Sequence, residues 1–129
     1  MTKINLISIL IAILITGCSN DLAEESQRTI NQGEVIGIEG DNDTFAWLGI
    51  PFAEPPVGNL RWKAPLRSKA FNSKFEANKF ADACFQSGGL FGGGEDWIGS
   101  EDCLYLNVWT PAWSTEELRE KKVPVMVWI

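Results

Sequence analysis

The run Ser100-Glu101-Asp102-Cys103-Leu104-Tyr105-Leu106-Asn107-Val108-Trp109-Thr110-Pro111, SEDCLYLNVWTP, sets an acidic pair and a cysteine directly ahead of an alternating segment. Leu104, Leu106 and Val108 share one parity; Tyr105, Asn107 and Trp109 share the other. Successive strand side chains point to opposite faces, so this period of two predicts a strand with one aliphatic face and one mixed polar and aromatic face. Glu101, Asp102 and Cys103 then stand at the strand's entrance, and their role there governs how the rest of the chain is read.

Downstream, Ser114-Thr115-Glu116-Glu117 has capping-box spacing, in which the serine accepts from the backbone and the glutamate reaches back to it. A short exposed helix over Thr115 to Lys121 is expected, its charges forming a solvated face. Val123-Pro124-Val125-Met126-Val127-Trp128-Ile129 is apolar at both parities. Such a strand suits the middle of a sheet covered on both sides by helices, so the expected fold class is α/β.

Upstream, Thr29-Ile30, Glu34 to Ile38 and Phe45 to Ile50 read as short strands parted by Asn31-Gln32-Gly33 and Gly40-Asp41-Asn42-Asp43, an antiparallel meander. Pro51, Pro55 and Pro56 lack the backbone N–H that a ladder needs, and with Gly58 they predict an ordered surface loop. Asn59 to Phe80 alternates bulky apolar and basic side chains without a sustained period, so irregular structure is expected there, with a helical turn between Asn78 and Phe85. The glycine-rich stretch Gln86 to Trp97 lacks a Gly-Lys-Ser/Thr ending and is flanked by acids that repel phosphate, so it reads as a flexible loop.

The N-terminus reads as an address. Lys3 precedes an apolar run, Leu6 to Ile15, broken only by Ser8 and followed by Ile15-Thr16-Gly17-Cys18. A helix spanning a bilayer needs about 20 apolar residues, which this run does not reach. It is similar to a bacterial lipoprotein signal, in which the cysteine becomes the lipid-modified first residue of the mature chain; an ordinary secretory signal or an uncleaved anchor are the alternatives. The expected organisation is a signal over 1–17, a lipidated Cys18, a polar tether over 18–27 carrying Asp21, Glu24 and Glu25, and a folded part over 28–129. The expected location is outside the cytoplasm on a bacterial membrane, with Ser19 after the cysteine favouring the outer membrane. Without residues 1–17, 10 basic side chains face 17 acidic ones, a net charge of −7 that argues against nucleic acid as a partner.

Cys84 and Cys103 remain, an even pair in a chain that reads as exported, which favours a disulfide over metal binding or redox catalysis. Closing the loop between them would stabilise the fold by about 3 kcal/mol in the chain-entropy picture. The chain has no histidine and no Cys-x-x-Cys, so a zinc site is not expected.

Two motifs, FAWLGIPFAEPPVGNLRW over Phe45 to Trp62 and SEDCLYLNVWTP over Ser100 to Pro111, make the chain resemble the N-terminal part of a type-B carboxylesterase. This is the α/β-hydrolase family of cholinesterases and bacterial esterases, and the likeness runs from about Arg28 to Ile129. The resemblance implies the first strands of the central sheet, an Ω-shaped loop closed by Cys84 and Cys103, and an ion pair of Arg61 with Glu101. A guanidinium and a carboxylate can meet through two parallel hydrogen bonds, clamping the proline loop to the strand entrance; if buried, the pair would make Arg61→Ala strongly destabilising. Read without the resemblance, Arg61 and Glu101 are independent surface charges. Asp102 is expected to hold local backbone or another cation. The likeness also offers Trp97 a substrate-facing role, with a packing role as the plainer reading.

The implied reaction is ester hydrolysis by a serine nucleophile, a histidine base and an orienting acid. This chain has no histidine and no Gly-x-Ser-x-Gly, so it holds no catalytic residue of that kind. In the family a His-Gly-Gly-Gly oxyanion loop follows a strand like Val123 to Ile129, where this sequence ends. The expectation is an incomplete N-terminal part of a longer hydrolase, inactive alone, whose parent acts on small carboxylic esters without a cofactor. The competing expectations are a non-catalytic adhesion or binding protein of the same fold, and a small lipoprotein functional in itself. An unpaired Val123 to Ile129 would also be an aggregation site.

Overall fold

The computed structural model describes residues 21–89 and 96–129; the signal, Cys18 and the middle of the glycine-rich stretch lie outside them. Four early strands form two hairpins. Arg28–Ile30 (β1) pairs antiparallel with Gly33–Ile36 (β2), and Ile38–Gly40 (β3) pairs antiparallel with Thr44–Pro51 (β4). The β3–β4 turn holds Asn42 and Asp43 at φ 57° and 54°, left-handed values that these two residue types tolerate better than most.

The expected meander is thus present as two hairpins in separate sheets, and Gly37 is where they part. Its N–H donates to Ser26 Oγ at 2.7 Å, and its carbonyl accepts from Ala23 N at 2.9 Å, so the N-terminal segment takes the bonds that would have continued the ladder. The Ala46 carbonyl lies where a side chain at position 37 would have to go. Residues 22–27, expected as a solvated tether, are therefore woven into the fold. Leu22 bridges to Ile38, Glu24–Ser26 forms one 3-10 turn, and Ala23 and Ser26 are buried.

Phe75–Glu76 (β5) adds to β2 in parallel, giving the order β1-β2-β5. In the second sheet, Tyr105–Pro111 (β8) runs antiparallel beside β4, giving β3-β4-β8. Gln86–Ser87 (β6) and Trp97–Ile98 (β7) form a small separate ribbon. Thr115–Lys121 (α1) is the expected helix, with Ser114 Oγ accepting from Glu117 N and the Glu117 carboxylate accepting from Ser114 N.

The core lies on both faces of β4. Phe45 and Trp47 join Ala23, Val35, Ile50 and Ala77 on one side, while Ala46 and Leu48 meet Ile38 on the other. Strict alternation would give Gly49, not Ile50, to the Trp47 side. A register shift between Trp47 and Ile50 corrects this, because one extra residue inverts the parity beyond it. Gly49 sits in that irregularity at φ 70°, with the Lys79 carbonyl 2.6 Å from where a Cβ would be, so only glycine fits without displacing backbone. Arg28 binds the parts together. Its guanidinium lies over the Phe45 and Trp47 rings and donates to the carbonyls of Glu25, Gln27 and Trp113.

Val123–Ile129 has no strand partner among the described residues and remains exposed. Its composition suits a central strand, yet a strand is stable only when a neighbour satisfies its backbone.

Candidate functional site

The site is the entrance to β8, where two chain crossings are fixed. The backbone there is directed by close contacts: Phe52 N donates to Leu104 O at 3.0 Å, and Tyr105 N to Cys103 O at 2.9 Å. Asn107 Oδ1 accepts from Gly49 N at 2.8 Å, stitching β8 to the irregularity of β4. Residues 101–103 just ahead of β8 are tied to Arg61, after the proline loop, and to Cys84, before the β6–β7 ribbon.

Arg61 Nη2 meets Glu101 Oε2 at 2.5 Å. Glu101 raises the arginine's pKa, first through the hydrogen bond and then through its charge. The two side chains are 49% and 47% exposed, so the burial that would make Arg61→Ala strongly destabilising is not found. Water competes for both ends, and salt screens them.

Cys84 and Cys103 are joined through their sulfurs, with Cα atoms 4.9 Å apart and a sequence separation of 19. Beside the disulfide, Ser100 N donates to Ala83 O and Phe85 N to Ser100 O, so the neck of the loop is held by backbone as well as sulfur. Asp102 finds a partner that sequence reasoning missed. It is the Tyr105 hydroxyl three residues on; burial raises the tyrosine's pKa, and the Asp102 hydrogen bond and the charges of Asp102 and Asp82 add to it. The i to i+3 spacing was visible in sequence, but nothing there marked the hydroxyl as turning back. Asp82, Asp102 and Tyr105 line an open cleft of about 470 Å³ with Ser100 and Phe80.

Trp97 stacks on Phe85, ring centres 5.3 Å apart and planes 10° from parallel, and both rings are largely exposed. One indole face is thus taken by a phenyl ring. Among the described residues no group of histidine, cysteine or carboxylate side chains could hold a metal ion. What the arrangement shows is bracing: an ion pair, a disulfide and a backbone-bonded neck around residues 100–103.

This architecture is that of an esterase of the α/β-hydrolase fold: a PNB esterase structure superposes with a TM-score of 0.60 and 34% identity, covering 69% of this chain and 19% of that one. The chain belongs to the carboxylesterase family, whose model matches residues 24–129. It is 42% identical to fumonisin B1 esterase of Sphingopyxis macrogoltabida over 102 residues, 79% of this chain and 18% of that protein. It is 43% identical to acetylcholinesterase of Electrophorus electricus over 106 residues, 76% of this chain and 16% of that protein. The chain therefore spans less than a fifth of the length of these relatives.

Proposed function

We propose that these residues are the N-terminal scaffold of an exported, lipid-anchored hydrolase of small carboxylic esters, and that alone they turn over no ester. The observation carrying the reading is the family match over residues 24–129 in a chain with no histidine. Serine-hydrolase groups act as a unit, so a chain lacking the base and the Gly-x-Ser-x-Gly nucleophile should show no rate above that of water. What the chain supplies is position. The disulfide and the Arg61–Glu101 pair fix residues 101–103, and β8 then enters the sheet beside β4 in a set register. Trp97, already stacked on Phe85, acts in packing. Acylation of Cys18 would hold the assembly at a membrane, with Leu22 already part of the fold only four residues later.

A chromogenic acetate ester mixed with the 129-residue chain should hydrolyse at the buffer rate, and turnover above buffer would refute inactivity. The coding DNA read past Ile129 should encode His-Gly-Gly-Gly and later Gly-x-Ser-x-Gly; the same fold continuing without that serine would replace the hydrolase reading by a binding protein. Labelled palmitate should enter the wild-type chain and not Cys18→Ala.

A further inference from the structure

A free tether over residues 18–27 would let the fold range about 35 Å from an anchor at Cys18, since an extended chain advances by up to about 3.6 Å per residue. The structure removes most of that reach. Leu22 bridges to Ile38, Ala23 N donates to Gly37 O at 2.9 Å, and Gly37 N donates to Ser26 Oγ at 2.7 Å. Trp47 Nε1 donates to Ser26 O at 3.0 Å, Glu24 meets Lys74 at 3.7 Å, and Arg28 donates to the carbonyls of Glu25 and Gln27.

Ser26 is fully buried and Ala23 nearly so within these residues alone, so the docking of this strap does not depend on what a longer chain adds. Peeling it away to lengthen the tether would strip the buried donors of Gly37 and Trp47 of their acceptors, which keeps the strap down. Four peptide steps then separate Cys18 from Leu22. Whatever their conformation, four steps span at most about 14 Å. An acylated cysteine has its backbone at headgroup depth, with its chains in the hydrocarbon below. Anything standing between Leu22 and the headgroups is therefore thinner than about 14 Å, little more than the width of one helix. That bound holds for every part of a longer parent.

We propose that Leu22–Ser26 is a strap that holds the part of the domain carrying Leu22, Ile38 and Glu39 against the lipid headgroups, with no free spacer between fold and bilayer. The proposal rests on acylation of Cys18 and adds to it an orientation. Ile38 pairs with Ala46 near the start of β4, whereas Pro51 at its end pairs with Tyr105, just beyond the Arg61–Glu101 contact. The strap thus keeps the Ile38 end down, and the Arg61–Glu101 end lies farther along β4 from the anchor. An uncleaved apolar run ending at Ile15 would leave seven steps to Leu22, about 25 Å, and would not impose this contact.

The test uses the full chain, acylated in a bacterium fed labelled palmitate and placed in phosphatidylcholine vesicles that contain a lipid with a fluorescence quencher on its headgroup. Fewer chains than vesicles keep self-association out of the signal. A dye is attached to Glu39→Cys or to Lys63→Cys, both exposed positions, and one dye per chain reports that the Cys84–Cys103 disulfide is intact. The Glu39→Cys dye should lose most of its emission to the quencher lipid, and the Lys63→Cys dye should lose less. A Gly-Ser linker of about 12 residues inserted between Asn20 and Asp21 adds about 20 Å of average reach and should restore most of the Glu39→Cys emission. Emission from Glu39→Cys that is the same with and without the linker overturns the proposal, as does equal quenching of the two dyes. Palmitate uptake with an unquenched Glu39→Cys dye would sink the strap alone; no palmitate uptake would sink the acylation reading and the strap together.

Discussion

Residues 104–129 are richer in apolar side chains than residues 22–51, with 14 of 26 against 11 of 30, and the two regions treat them in opposite ways. In the first region Trp47 is 4% exposed and its Nε1 donates to the Ser26 carbonyl at 3.0 Å. In the second, Val125 is 85% and Trp128 93% exposed. Hydrophobicity does not explain the contrast, since the region with more of it is the exposed one. Strand β4 is paired on both edges, by β3 and β8, and bears a cluster on each face; among the described residues β8 is paired on one edge only, and Val123–Ile129 on neither. An apolar strand is buried only after its backbone bonds are taken up by neighbours, because an unpaired N–H or C=O cannot leave water cheaply.

Breaking this contrast takes one substitution in each region. Trp47→Ala should cost about 3–5 kcal/mol, from lost burial and cavity formation. It also leaves the Ser26 carbonyl without its donor. Val127→Ser, at an exposed side chain, should stay within about 0.5 kcal/mol and reduce self-association. Urea unfolding of both variants measures the difference; equal costs would mean that the second region is buried in solution. Replacing Cys84 and Cys103 together by serine should come next, at about 3 kcal/mol, because the closed loop restricts the unfolded chain. An unchanged urea midpoint for that double variant would show that the backbone bonds at the loop's neck suffice.

Most of the scaffold was legible because its signals are local. Alternation located β8, a capping box located α1, and an even cysteine count in a chain that reads as exported suggested the disulfide. What was not legible depends on pairs distant in sequence. Nothing local shows that Ser26 would take the Gly37 N–H and so part the two hairpins, or that the residues before Arg28 would be buried. The Arg61–Glu101 contact was reachable only through family resemblance, and its exposure not at all, since burial of a charge depends on what surrounds it. Val123–Ile129 shows the converse: composition specifies a strand, and among the described residues none pairs with it.

The Arg61–Glu101 contact sharpens the comparison from its exposed side. A half-exposed ion pair is screened by counterions and loses side-chain entropy on forming, so Arg61→Ala should shift the urea midpoint less than loss of the disulfide does. Raising the salt concentration should bring the variant and the wild type together. A large, salt-independent loss would instead mean that the pair is covered in solution.

The smallest effect concerns Tyr105, where the two regions meet at the mouth of β8. Burial, the Asp102 carboxylate and the charge of Asp82 all favour the neutral phenol, so its folded pKa lies above the ordinary value for tyrosine, about 10. In the unfolded chain the hydroxyl ionises at that ordinary value. The folded state therefore holds the proton more tightly, and the stabilisation is complete below the unfolded pKa and falls as pH rises from there through the folded pKa. Tyr105→Phe removes that slope together with the Asp102 hydrogen bond. The variant should be slightly less stable at neutral pH, and its difference from wild type should shrink in the alkaline range. Urea midpoints measured from pH 7 upward decide it: a difference that widens with pH would mean that ionised Tyr105 is better accommodated in the fold than in water, which the two facing carboxylates forbid.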